Sequence, residues 1–214
     1  MKKLLLKTTI FISIIYFGGC ASGYKQIHPE TVYFAAHDLQ DGISLSYKYD
    51  VLREKGNRKY SKKEFTRGLR LVAVKVTNNT DTTIHIGQDV AFYSGQNQLM
   101  LLDPLVVKSS IKQIVPGYLP YFLFTFLRFN VYTATSSNSY PIGLALGPGL
   151  VIGNMAFAGT ANTNLLNELI KYSLFNKAVE KGETVYGIIG FRSNDYSPLS
   201  LKFINEYSSY RANP

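Results

Sequence analysis

The one thiol of the chain, Cys20, follows Gly18 and Gly19. A thiol behind two small residues is suited to covalent modification and to a processing step, because a peptidase cleft admits only slim side chains there. Little else in the chain has reactive spacing. His28, His37 and His85 are scattered, and none has a second histidine or cysteine at metal-ligand spacing. His37 and Asp38 are neighbours, but adjacent residues on a strand point to opposite faces. There is no Gly-x-Ser-x-Gly elbow, phosphate-binding glycine loop or paired-cysteine motif. Seven aspartates and seven glutamates include no clustered pair of the glycosidase kind. Asp81 and Asp103 stand beside turns and read as turn formers. No catalytic residue, metal ligand or cofactor is assigned, and the residue types argue against an enzyme.

The second group with chemical potential is basic. From Arg53 to Arg70 lie eight bases and two acids. With Lys2, Lys3 and Lys7 set aside, that 18-residue stretch carries all of the remaining net positive charge. Arg58, Lys59, Lys62 and Lys63 are the candidate contacts for an anionic lipid or glycan, since a focused patch attracts phosphates. The same residues read as the solvated face of a hairpin or helix.

The elements around Cys20 give it a setting. Lys2, Lys3 and Lys7 precede a mostly apolar run over 8–17, too short to span a bilayer comfortably at roughly 20 residues. The motif Phe17-Gly18-Gly19-Cys20 resembles the bacterial lipobox. That resemblance implies a signal peptide over 1–19, cleavage between Gly19 and Cys20, and diacylglyceryl on the Cys20 sulfur with acylation of its amino group. Ala21 is not the aspartate that retains such proteins at the inner membrane, so the resemblance implies the outer membrane; no acidic run follows Cys20, so a periplasm-facing orientation is expected. Nucleic acid is not expected as a partner of such a chain.

A single cysteine allows no internal disulfide, so an exported fold must rely on packing. Sixteen tyrosines, thirteen phenylalanines and many β-branched residues favour a β-rich domain. Residues 20–31 read as a short lipidated tether, and 32–214 as one domain with an insertion over about 104–178. Alternation predicts strands over 32–36, 43–51, 69–77, 82–86, 89–93, 99–102, 184–191 and 199–204. Ser61-Lys62-Lys63-Glu64 fits a capping box opening a short helix that Gly68 ends. The fold expected is mainly β (α+β), a sandwich with an apolar, partly helical insertion.

Within the insertion, Tyr118, Phe122, Phe126 and Phe129 have the spacing of a helical aromatic stripe. Residues 141–158 form a second apolar run, in which glycines four apart permit close backbone approach. An amphipathic helix follows over 164–175, capped by Asn162 or Asn164. Arg128, Asn130, Pro148 and Asn154 argue against a membrane hairpin, so the runs are expected to pack on the domain, with a membrane-leaning or partner-binding surface as the alternative. Val76-Thr77-Asn78-Asn79-Thr80-Asp81 and Gly182-Glu183-Thr184-Val185-Tyr186-Gly187 resemble secreted immunoglobulin-like domains of bacteria. With Cys20 and Leu146-Gly147-Pro148-Gly149, the chain resembles uncharacterised Bacteroidetes outer-membrane lipoproteins. The resemblance implies an immunoglobulin-like fold and an envelope location. The expected role is structural or protein-interacting, with another envelope protein meeting the 118–158 insert.

Overall fold

Leu69–Asn78 (β3) is β-branched and aliphatic on both faces, the composition of a strand covered on both sides. A computed structural model describes residues 20–204, and the expected signal peptide over 1–19 lies outside them. β3 sits inside an antiparallel sheet of order β1-β2-β3-β10, with β1 Ala36–Gln40, β2 Ile43–Lys48 and β10 Thr184–Arg192. Val72, Val74 and Val76 share one core with Ile43 and Leu45 of β2 and Ile189 and Phe191 of β10. A second antiparallel sheet, β11-β5-β6, adds Val90 and Phe92 from β5 (Val90–Ser94) and Leu199 and Leu201 from β11 (Leu199–Phe203) to that core. β6 is the short Asn97–Gln98, and Ile84–His85 (β4) pairs with Ala178–Val179 (β9). The fold is thus α+β with several antiparallel sheets.

The other face of β3 carries the helices. These are α1 (Val51–Glu54), α2 (Arg58–Thr66), α3 (Pro104–Ile111) and the C-terminal part of α4 (Gly143–Lys171). Gly190 lets α3 approach, since a β-carbon there would stand 2.6 Å from Val107 Cγ2. Asp103 caps α3 by accepting from the Leu105 N–H at 2.7 Å.

The chain divides into two compact units. The larger holds Tyr24–Lys112 and the chain from Asn162 onward, with both main sheets. The smaller holds Gln113–Ala161 and the N-terminal segment through Gly23, of which 20–23 are described. The unit boundary therefore lies inside the expected 104–178 insertion, and α3 belongs to the larger unit.

Several local expectations are corrected. Residues 32–35 are not a strand, and β2 stops at Lys48, where the chain turns through Asp50 (φ 57°) into α1. The capping box does not form: α2 starts three residues before Ser61, and the Glu64 carboxylate accepts from the Leu71 N–H at 2.8 Å. Gly68 does follow the helix, with φ 58°. Residues 99–102 make two single backbone bonds, to Phe92 and Gly190, and no strand. The aromatic stripe is not α-helical. Pro116 and Pro120 withhold backbone donors, and Val115–Phe126 forms 3-10 turns. Phe129–Tyr132 (β7) and Ser137–Tyr140 (β8) then make a hairpin. The two following helical segments are one helix, α4, so Asn162 and Asn164 are interior rather than caps.

Candidate functional site: the apolar unit that carries Cys20

Cys20 is exposed, and the residues after it are fixed by amide side chains of the smaller unit. The Ala21 N–H donates to Asn154 Oδ1 at 2.6 Å, and Asn154 Nδ2 donates to the Leu150 carbonyl at 2.8 Å. Gln113 accepts from the Ser22 N–H at 3.2 Å and returns a bond to the Ser22 carbonyl at 2.6 Å. The Tyr118 hydroxyl donates to the same Gln113 Oε1 at 3.1 Å. Two buried amides thus stand in for strand partners and hold Ala21 and Ser22 in place.

The helix behind this segment has an inverted pattern. Gly143, Gly147, Val151, Asn154, Ala158 and Ala161 form the buried stripe, at spacings of three and four. Leu144, Leu146, Leu150, Ile152 and Phe157 point outward, with Leu144 64% and Ile152 67% exposed. Small residues inside and large apolar residues outside reverse the order of a helix facing water. The glycines explain the inner face: a β-carbon at Gly143 would collide with the Phe124 and Thr125 carbonyls, and one at Gly147 with Thr125. Gly149 and Gly153 meet nothing.

The 3-10 segment has the same character. Tyr118 is buried, while Leu119, Phe122, Leu123 and Phe126 are exposed, Phe126 to 77%. Fifteen of the twenty-four large apolar side chains exposed among the described residues lie in this unit. Between Lys112 and Glu168 the chain has one charged residue, Arg128. α4 is long and apolar enough to cross a membrane by length and composition, and only 28% of its most apolar window is buried. Burial, with Cys20 and Tyr118 nearby, pushes the Tyr121 hydroxyl above its usual range. That hydroxyl and Thr125 Oγ1 are buried without a hydrogen-bond partner.

The segment expected as a tether is docked over 24–28 within the larger unit. Glu168, 4% exposed, accepts from the Tyr24 hydroxyl at 2.5 Å, the Ile27 N–H at 2.8 Å and the His28 N–H at 2.9 Å. Burial, then this carboxylate, pushes the Tyr24 hydroxyl far above its usual range. Asn57 accepts from the Lys25 N–H at 2.8 Å and donates to its carbonyl at 2.7 Å. No motif pointed to Glu168, Asn57, Gln113 or Asn154. Glu168 did leave one signal: it is a charge next to Leu165 and Leu169 in an otherwise apolar stripe.

The four candidate anion contacts share α2. Arg58 and Lys62 are exposed, while Lys59 and Lys63 are half-buried. The Lys63 ammonium donates to the Lys112 carbonyl, and burial followed by Arg67, Lys112 and Lys59 lowers its pKa. Arg70 does not contribute to the surface. It is buried, lies 4.4 Å from the Tyr196 ring centroid, and donates to the Leu69 and Asn194 carbonyls. The histidines remain apart: His37 Nδ1 meets Ser46 Oγ at 2.7 Å, His85 Nδ1 lies 3.1 Å from Asp89 Oδ2, and His28 is exposed.

Comparison with family models, curated proteins and solved structures yields no match.

Proposed function

We propose that this chain is a lipid-anchored protein of the cell envelope, held in the outer membrane by acyl chains on Cys20 and facing the periplasm. Its role is structural or protein-interacting, with no reaction assignable to its residues. The carrying observation is Cys20 itself: one exposed thiol behind a basic, apolar, glycine-ended leader, on the unit with the most apolar surface. Several acyl chains at about 0.8 kcal/mol per buried methylene make such attachment effectively permanent. The finer fold we assign is an immunoglobulin-like sandwich, supported by β1-β2-β3-β10 and β11-β5-β6 sharing one core. Feeding cells an alkyne fatty acid and weighing the N-terminal peptide tests the anchor. Acylated protein beginning at residue 20, with label lost in Cys20→Ser, is expected. Unlabelled wild type, or labelled Cys20→Ser, overturns it.

A second reading has its own observation: the bases of α2 leave Arg58 and Lys62 exposed one turn apart. They would bind an anionic lipid or glycan, with Lys59 and Lys63 beside them. Binding to anionic vesicles should weaken with salt and fall when the four are neutralised. Binding indifferent to both changes removes this reading.

A further inference from the structure

We infer that the smaller unit is itself a membrane element: it seats its apolar surface in the leaflet that holds the Cys20 acyl chains. Three independent observations select lipid as the occupant. First, α4 turns small residues inward and Leu144, Ile152 and their neighbours outward. Lipid-facing helices pack this way, because small residues let backbones approach and hydrocarbon takes the large side chains. Second, Gln113–Ala161 carries Arg128 and no other charge. Protein interfaces have a polar rim around an apolar centre, whereas burial in acyl chains penalises charge at about 2.5 kcal/mol or more per group at depth. Third, Cys20 belongs to this unit, and the Ala21 bond to Asn154 puts the anchor residue beside the middle of α4.

A full span is disfavoured by β7 and β8, which form a two-stranded sheet of their own. Open sheet edges and the polar turn over 133–138 belong at headgroups or in water, since hydrocarbon satisfies no backbone group. Beyond Ala161, α4 carries the buried and hydrogen-bonded Glu168, which belongs to the larger unit.

The chain has no tryptophan, so an introduced one is a sole indole reporter. The full chain, purified from membranes, is reconstituted into phosphatidylcholine vesicles with or without acyl-chain bromination. Phe122→Trp and Phe126→Trp report on the unit; Phe65→Trp, exposed on α2, is the control. Blue-shifted emission, lost on bromination at 122 and 126 and unchanged at 65, is expected at low and high salt alike. Orientation toward the bilayer rests on the Cys20 anchor, so the N-terminal peptide of the same preparation is weighed. Acylated chains whose indoles at 122 and 126 stay red and unquenched sink the insertion and leave the anchor standing. Quenched indoles on an unacylated chain do the reverse. Cross-linking of 122 and 126 to a protein, or to a second copy, in place of quenching also overturns the insertion.

Discussion

Glu168→Ala is the most informative perturbation of the larger unit. The carboxylate is the shared acceptor for three donors, the Tyr24 hydroxyl and the Ile27 and His28 amides, all within 2.9 Å. Ile27 is itself fully buried, so water does not readily replace the lost acceptor at its amide. An orphaned buried donor costs about 1–3 kcal/mol, and bonds to a charged acceptor sit at the upper end. Tyr24 and His28 are closer to solvent and recover part of theirs, which leaves a net loss of about 3–5 kcal/mol. Set against a typical total of roughly 5–15 kcal/mol, that is enough to open the segment locally before the sheets unfold. Hydrogen exchange on the intact protein reads this directly. The Ile27 and His28 amides should lose protection by several orders of magnitude, while Val74 and Ile189 in the sheet change much less. Cleavage after Lys25 should rise in parallel. Glu168→Gln should be intermediate, because one amide oxygen still accepts. Unchanged protection at Ile27 in Glu168→Ala would refute the assignment of this carboxylate as the clamp.

Two other outcomes follow from the geometry. Burial, reinforced by Asp50 and opposed by the Leu71 N–H and Arg70, raises the Glu64 carboxyl from 4.5 to about 7. Its contribution is fully present below pH 4.5 and is lost as pH rises to 7, about 3 kcal/mol in all. Urea unfolding should therefore show Glu64→Gln gaining on wild type by that amount between pH 4.5 and 8, and parallel profiles would contradict it. The α4 glycines give a matched pair. Gly147→Ala should expose the smaller unit to protease because of Thr125, whereas Gly153→Ala, facing open space, should be neutral or stabilising by roughly 0.5–1 kcal/mol; equal effects would exclude the tight inner face.

What the residues determined unaided was local. Alternation located β3 and β10 to within a residue or two, since one face or both of a buried strand must be apolar wherever its partners come from. Gly68 as a helix stop was legible for the same reason, being a requirement at one position of the backbone; the two glycine pairs four apart looked alike, yet Gly143–Gly147 is a close approach and Gly149–Gly153 faces open space. Patterns with two local solutions were not decided there. The Phe122–Phe126 spacing suits an α-helix, but two prolines and the contact with Gly143 and Gly147 settled it as 3-10 turns. Asn162 and Asn164 could cap a helix or sit inside one, and continuity with Gly143 chose the latter. The amide and carboxylate clamps were beyond local reading altogether. Glu168 meets Ile27 across 141 residues, and Asn154 meets Ala21 across 133, so only the folded chain brings donor and acceptor together. The inverted face of α4 has the same origin: periodicity shows that two faces differ, and tertiary packing decides which of them is inside.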